Sequence, residues 1–231
     1  MYEYANFETS ESLDLALAER VSSILQQAIL DKGKATLAVS GGSTPKGFFK
    51  ILSSKNVDWK NVIITLVDER WVDVDSEDSN TRLVHDFLLQ NKASTANFFH
   101  LKQGDSLSCE VLAKLNSEVK VNLDPLDVII LGMGEDGHTA SLFPCSEQIS
   151  EALNFDNENA LIIIEPKTAP YKRISFSFAT LIRSKNIFLH LCGEKKQQVL
   201  NKAINEEDVL VMPVRKFLQD EKKLIQIYCC P

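Results

Sequence analysis

The feature that most constrains this chain is a set of short, almost wholly apolar runs, each ending abruptly in a polar or glycine-bearing motif. Residues 35–39 run into Ser40-Gly41-Gly42-Ser43-Thr44-Pro45, and residues 62–67 run into Asp68-Glu69-Arg70-Trp71. Residues 128–131 run into Gly132-Met133-Gly134-Glu135-Asp136-Gly137-His138, and residues 187–191 into Cys192-Gly193-Glu194-Lys195-Lys196. A run of this kind lacks the apolar/polar alternation of a half-exposed strand, so it reads as a strand buried on both faces, the habit of parallel sheets covered by helices.

Helical spacing fills the gaps between these runs. Leu13, Leu17, Val21, Ile24, Leu25 and Ala28 mark an amphipathic helix over 11–30, closed by Gly33. Residues 45–52 read as a helix with Thr44 as N-cap and Pro45 at its first position. Further helices are expected near 80–89, 108–119 and 194–204, and further strands at 161–164, 174–178 and 224–228. Strands alternating with helices imply an α/β fold with a mostly parallel sheet and helices on both faces. No repeat or linker divides the sequence, so residues 1–231 are expected to form one domain. In such a sheet the carboxyl ends of the strands share one edge, where ligands bind. Four polar motifs following four strands would therefore build one site.

Composition narrows the chemistry. The net charge of −7 disfavours a general nucleic-acid binder and an anionic membrane surface, while leaving room for a small anion held by local cations and N–H groups. The first residues lack a basic and an apolar region, and the longest apolar runs are about five residues against the roughly 20 needed to span a bilayer. Five cysteines without a C-x-x-C spacing read as reduced thiols, and a cytoplasmic location is expected.

The loop at 40–45 suits a phosphate. Gly41 and Gly42 let the backbone approach a ligand, Ser43 and Thr44 bring hydroxyls, and the following helix start offers unpaired N–H groups. A plain strand-to-helix turn is the alternative. Residues 132–137 match G-x-G-x-x-G, but Pro144 leaves no room for the long helix of a dinucleotide site. His138, with Asp136 two residues before it, fits a general base whose tautomer a carboxylate holds. The acidic run from Asp73 lacks the Gly and Glu of a calcium loop, since Asp78 and Val84 stand at those positions. His85, His100 and His190 have no ligand-like spacing, and no cluster points to zinc.

Three blocks together, LAVSGGSTP at 37–45, LVDERWVDVDSEDSN at 66–80 and DVIILGMGEDGHTASLFP at 127–144, resemble the 6-phosphogluconolactonase family, with a weaker fourth at 173–200. The resemblance covers roughly residues 10–230. It implies a Rossmann-like sheet shared with glucosamine-6-phosphate deaminases, hydrolysis of 6-phospho-D-glucono-1,5-lactone, and no cofactor or metal. It assigns His138 as general base, preceded by Asp136. Arg70 becomes the arginine that reaches the substrate, in the motif that Asp68 opens. Ser40, Gly41, Gly42, Ser43 and Thr44 form the phosphate loop, with Arg173 and either Lys196 or the adjacent Lys195 as basic phosphate ligands. The implied partner is a small phosphorylated sugar lactone, bound by a monomer or small homo-oligomer. Two departures stand out: Asp73 replaces a common Pro, and the chain ends at Pro231 where many members continue into a short helix. An amino-sugar-phosphate deaminase is the nearest alternative. Those enzymes carry DEY where this chain has Asp68-Glu69-Arg70, and an IAFNEP-like string where it has Thr139 to Pro144. A non-catalytic sugar-phosphate sensor is the other, though no segment remains for a DNA-binding unit.

Overall fold

The computed structural model describes residues 1–231. In chain order it contains β1 (Tyr2–Asn6), α1 (Ser10–Lys32), β2 (Ala35–Val39), α2 (Lys46–Ser53), β3 (Val62–Leu66), β4 (Asp68–Arg70), α3 (Asn80–Phe87), β5 (Asn97–Phe98) and α4 (Cys109–Asn122). There follow β6 (Val128–Leu131), α5 (Ile149–Ala152), β7 (Leu161–Ile164), β8 (Arg173–Phe176), α6 (Phe178–Arg183), β9 (Asn186–Cys192), α7 (Glu194–Asn205), α8 (Val214–Leu218) and β10 (Ile225–Cys230).

Seven strands form a parallel sheet in the order β1-β10-β9-β6-β2-β3-β5. Every residue of β2 and of β6 is buried, so both faces of the central strands are covered. Leu13, Leu17, Val21, Leu25 and Ala28 are the inward stripe of α1. Its start is fixed by a reciprocal Thr9–Ser12 capping box and its end by Gly33, at φ 78°. The apolar core is one continuous cluster of 60 residues.

Four local expectations need correction. The strands expected at 161–164 and 174–178 do not extend the parallel sheet, and the second runs over Arg173–Phe176, with Phe178 already in α6. They form an antiparallel sheet, β4-β8-β7, that continues from the carboxyl end of β3, and the Phe176 N–H donates to Val67 O at 3.0 Å. The first three motif residues after β3, Asp68 to Arg70, are themselves a strand of that small sheet. Thr44 does not cap α2. The Lys46 N–H closes a turn onto Ser43 O, Pro45 takes the cap position without a side-chain bond, and the helix starts at Lys46. Finally, β1 had no counterpart in the periodicity, because this edge strand keeps four of its five residues exposed.

Candidate active site

The predicted residues converge with one partial exception. Ser40, Gly41, Gly42, Ser43, Thr44, Asp68, Arg70, His138, Arg173 and Lys196 all line one cleft of about 300 Å³ at the carboxyl edge of the sheet. Asp136 does not line it and acts on it only through His138.

The loop after β2 is built to leave donors free. Ser40 Oγ donates to Ile130 O at 3.0 Å and accepts from Gly132 N–H at 3.1 Å, tying the loop to the one after β6. Beyond it, the N–H groups of Gly41, Gly42, Ser43 and Thr44 donate to no protein acceptor, and the Ser43 and Thr44 hydroxyls have no protein partner. Unpaired consecutive N–H groups next to a helix N-terminus form an anion-binding concavity. Gly42 sits at φ 92°, a conformation that glycine adopts without steric cost. Gly41 is required for a different reason: a Cβ there would lie 1.9 Å from Asn80 Oδ1.

The loop after β6 folds back on itself. The Gly134 N–H donates to His138 O at 2.8 Å and the Gly137 N–H to Gly134 O at 3.2 Å. Asp136 Oδ1 accepts the His138 backbone N–H at 3.1 Å and lies 2.5 Å from His138 Nδ1. An ionised carboxylate only accepts, so the ring proton sits on Nδ1 and Nε2 carries the lone pair. Burial raises the Asp136 carboxyl, but the ring hydrogen bond and the charge of His138 outweigh it and hold it below the ordinary carboxylate range. The imidazole lies flat on Phe143, with ring centroids 4.0 Å apart and planes at 27°. A Cβ on Gly134 would collide with the imidazole at 2.2 Å.

The small antiparallel sheet supplies the cations. Arg70 on β4 faces Arg173 on β8 in register. Arg70 Nη1 donates to Asp78 O at 2.7 Å, which leaves its Nε–H without a partner. Arg173 is 6 % exposed; its guanidinium lies 5.0 Å from the centroid of the Phe143 ring and 4.0 Å from Asp68 Oδ2. Burial lowers the Arg173 pKa and Asp68 raises it again; arginine stays charged throughout. Asp68 also accepts from Ser141 Oγ. The adjacent lysines point in different directions. Lys196 lines the cleft and donates to Met133 O at 2.8 Å, while Lys195 pairs with Glu135 outside it at 3.1 Å.

Several residues of the site carried no readable signal. Glu69, 1 % exposed, accepts the N–H groups of Asn80 and Thr81 at 2.9 and 2.7 Å, anchoring α3 behind Arg70. Burial raises its pKa despite these bonds. Tyr171 Oη donates to Asp78 Oδ2 at 3.0 Å from a left-handed backbone at φ 70°. His190, read as structural, lines the cleft, and its Nε2 is 3.2 Å from the buried Asp14 Oδ1. The glycine loop at 40–45, the G-x-Asp-Gly-His spacing from Gly134 and the arginine motif were visible in one dimension; these supporting contacts were not. No three His, Cys, Asp or Glu side chains converge in a way that could hold a metal ion.

Comparison with known proteins places this geometry. Residues 8–226 match the model of the glucosamine-6-phosphate isomerases/6-phosphogluconolactonase family. A 6-phosphogluconolactonase of Rhizobium meliloti (strain 1021) is 42% identical over 226 residues, 97% of each chain. The crystal structure of a 6-phosphogluconolactonase from Shewanella baltica OS155 superposes with a TM-score of 0.96 at 41% identity, covering 100% of this chain and 98% of that one. A monomeric glucosamine-6-phosphate deaminase shares the fold, with a TM-score of 0.79 at 17% identity, covering 97% of this chain and 96% of that one.

Proposed function

The chain belongs to the glucosamine-6-phosphate isomerase/6-phosphogluconolactonase family, and from that premise we propose that it hydrolyses 6-phospho-D-glucono-1,5-lactone to 6-phospho-D-gluconate. The observation that carries this reading is the Asp136–His138 pair, Oδ1 to Nδ1 2.5 Å, in one cleft with four unpaired loop N–H groups and Lys196. One end of that cleft is a base with a free Nε2, and the other is a cradle for a dianion.

The phosphate settles on the N–H groups of Gly41 to Thr44, with Lys196 and Arg173 as countercharges. Binding energy at that end fixes the lactone carbonyl beside His138. Nε2 of His138 takes a proton from water as the water oxygen attacks C1. The tetrahedral oxyanion is met by the guanidinium of Arg70, which lines the cleft, or by a loop N–H. As the C1–ring oxygen bond breaks, protonated His138 returns its proton to the departing oxygen, giving the open acid and the starting imidazole. Asp136 holds the ring and its tautomer throughout, and Asp68 holds Arg173 and Ser141 on the opposite wall.

The chain is a hydrolase of a small anionic ester in this reading, working in the cytoplasm as one catalytic domain. No helix is long and apolar enough to cross a membrane. The test is hydrolysis of freshly made 6-phosphogluconolactone, coupled to oxidation of the product and run against a blank without enzyme, with ammonia release from glucosamine 6-phosphate measured in parallel. A rate well above the blank without ammonia is expected. Ammonia release, or no acceleration of the lactone, overturns the reading.

A further inference from the structure

The Gly134–His138 turn is closed by its own hydrogen bonds on the inside, but its outer side rests on a segment that neither the sequence motifs nor the mechanism uses. Met212, 4 % exposed, presses on Gly137: a Cβ there would lie 2.8 Å from Met212 Cβ and Cε. The Val214 N–H donates to Gly137 O at 2.9 Å. The turn is thus pinned from outside at the residue between Asp136 and His138.

This support is itself tied by a buried cation. Arg215 is 1 % exposed. Its Nη1 donates to Asp208 O at 2.8 Å, and its Nη2 reaches Glu206 Oε2 at 2.6 Å, Met212 Sδ at 3.0 Å and Lys202 O at 3.4 Å. The Arg215 N–H also donates to Met212 O at 2.9 Å. The guanidinium therefore joins the end of α7, the 206–212 loop and the start of α8 into one unit. Lys196, in the first turn of the same α7, holds the other end of the loop after β6 through Met133 O at 2.8 Å. One stretch of chain, residues 194–215, grips that loop at both ends, near Met133 and at Gly137.

We propose that Met212 and Arg215 are positioning residues for His138, setting the imidazole against the lactone by fixing the outer side of the Gly137 turn. The proposal rests on the lactonase reading above. The turn's inner bonds, Gly134 N–H to His138 O and His138 N–H to Asp136, do not involve either residue, so loss of the outer support loosens the turn without dismantling it. Loss of reach at the base affects the chemical step. The phosphate loop after β2 makes none of these contacts, and Lys196 keeps its own hold on Met133 O, so ground-state binding is largely spared.

The experiment is steady-state kinetics of Met212→Ala, Met212→Leu and Arg215→Lys on 6-phosphogluconolactone at 25 °C, with thermal melting of each. A misplacement of about 1 Å can cost on the order of 100-fold; a loosened rather than displaced turn should lower kcat roughly tenfold in Met212→Ala. KM should stay within about twofold, with near wild-type kcat in Met212→Leu, which refills the volume. Arg215→Lys keeps a buried cation but loses the fork, and an intermediate fall in kcat is expected; it carries the test if Met212→Ala does not fold. Unchanged kcat in a folded Met212→Ala or Arg215→Lys overturns the proposal. So does a rise in KM matching the fall in kcat, or a Met212→Leu no better than Met212→Ala. Failure of the lactonase reading shows separately, as a wild-type protein that does not exceed the blank.

Discussion

Replacing Asp136 by asparagine isolates what its charge contributes. Oδ1 of Asp136 accepts two hydrogen bonds from His138, one from the backbone N–H at 3.1 Å and one at the ring Nδ1 at 2.5 Å. Asparagine keeps an acceptor oxygen in the same place, so the ring orientation and tautomer survive and the charge alone is withdrawn. A hydrogen bond to a charged partner contributes about 1.5–3 kcal/mol and a neutral one about 0.5–1.5. The Asp136 side chain is 39% exposed, so water screens it and the lower end of that difference applies, about 1 kcal/mol. At about 1.4 kcal/mol per decade, Asp136→Asn should lower kcat roughly five- to tenfold with KM unchanged. The His138 bond holds the carboxyl below its ordinary range, so Asp136 is ionised at every pH above that range, and the two proteins are compared on the alkaline plateau of each pH–rate profile. Initial rates in the coupled lactone assay measure it. A variant as fast as wild type refutes the idea that the carboxylate stabilises the charged imidazole.

Other substitutions probe the frame. Gly41→Ala drives a methyl into Asn80, which is 3% exposed and whose Nδ2 donates to Asp68 O at 3.0 Å; a loss of about 1–3 kcal/mol in denaturant titration and a raised KM are expected. Asp127, far from the cleft, receives Thr36 N–H at 2.9 Å and pairs with Lys32 and Lys185 at 2.8 and 3.1 Å; Asp127→Ala should cost about 2–4 kcal/mol by the same titration. Burial raises the Asp127 carboxyl and its bonds to Lys32, Lys185 and Thr36 lower it further than burial raises it, so its folded pKa is depressed. Its contribution is then complete above the ordinary carboxylate value and lost as pH falls through the depressed one, so melting temperature measured against pH should fall more steeply in that acid window for wild type than for Asp127→Ala.

The central strands β2, β3, β6 and β9 were legible because burial on both faces writes an unbroken apolar run, and the motifs that follow them were legible because polar residues there cannot be core. What periodicity cannot encode is partnership. Residues 161–164 and 174–178 read as strands, yet only the structure shows that they pair antiparallel with each other, and that the second, at Arg173–Phe176, also pairs with Asp68–Arg70 and so sets Arg70 beside Arg173. Glu69 looked like part of a charged motif and is instead a buried anchor for α3, bonded to a backbone N–H eleven residues further along the chain, a separation that no spacing rule anticipates. The Ser141–Asp68, His190–Asp14 and Met212–Gly137 contacts join residues far apart in sequence, and single-residue chemistry does not point from one to the other. Thr44 was misplaced as a helix cap because the turn onto Ser43 O frees that segment to face the cleft.

The central claim is that His138 activates the water that opens the lactone, and His138→Ala tests it most directly. Its turnover should be compared with wild type on fresh 6-phosphogluconolactone, with the spontaneous rate subtracted and product affinity measured alongside. Loss of a general base typically costs about 10²–10⁴-fold, so kcat should fall by that order while affinity for 6-phosphogluconate is retained. A His138→Ala protein that hydrolyses the lactone at the wild-type rate would contradict the account.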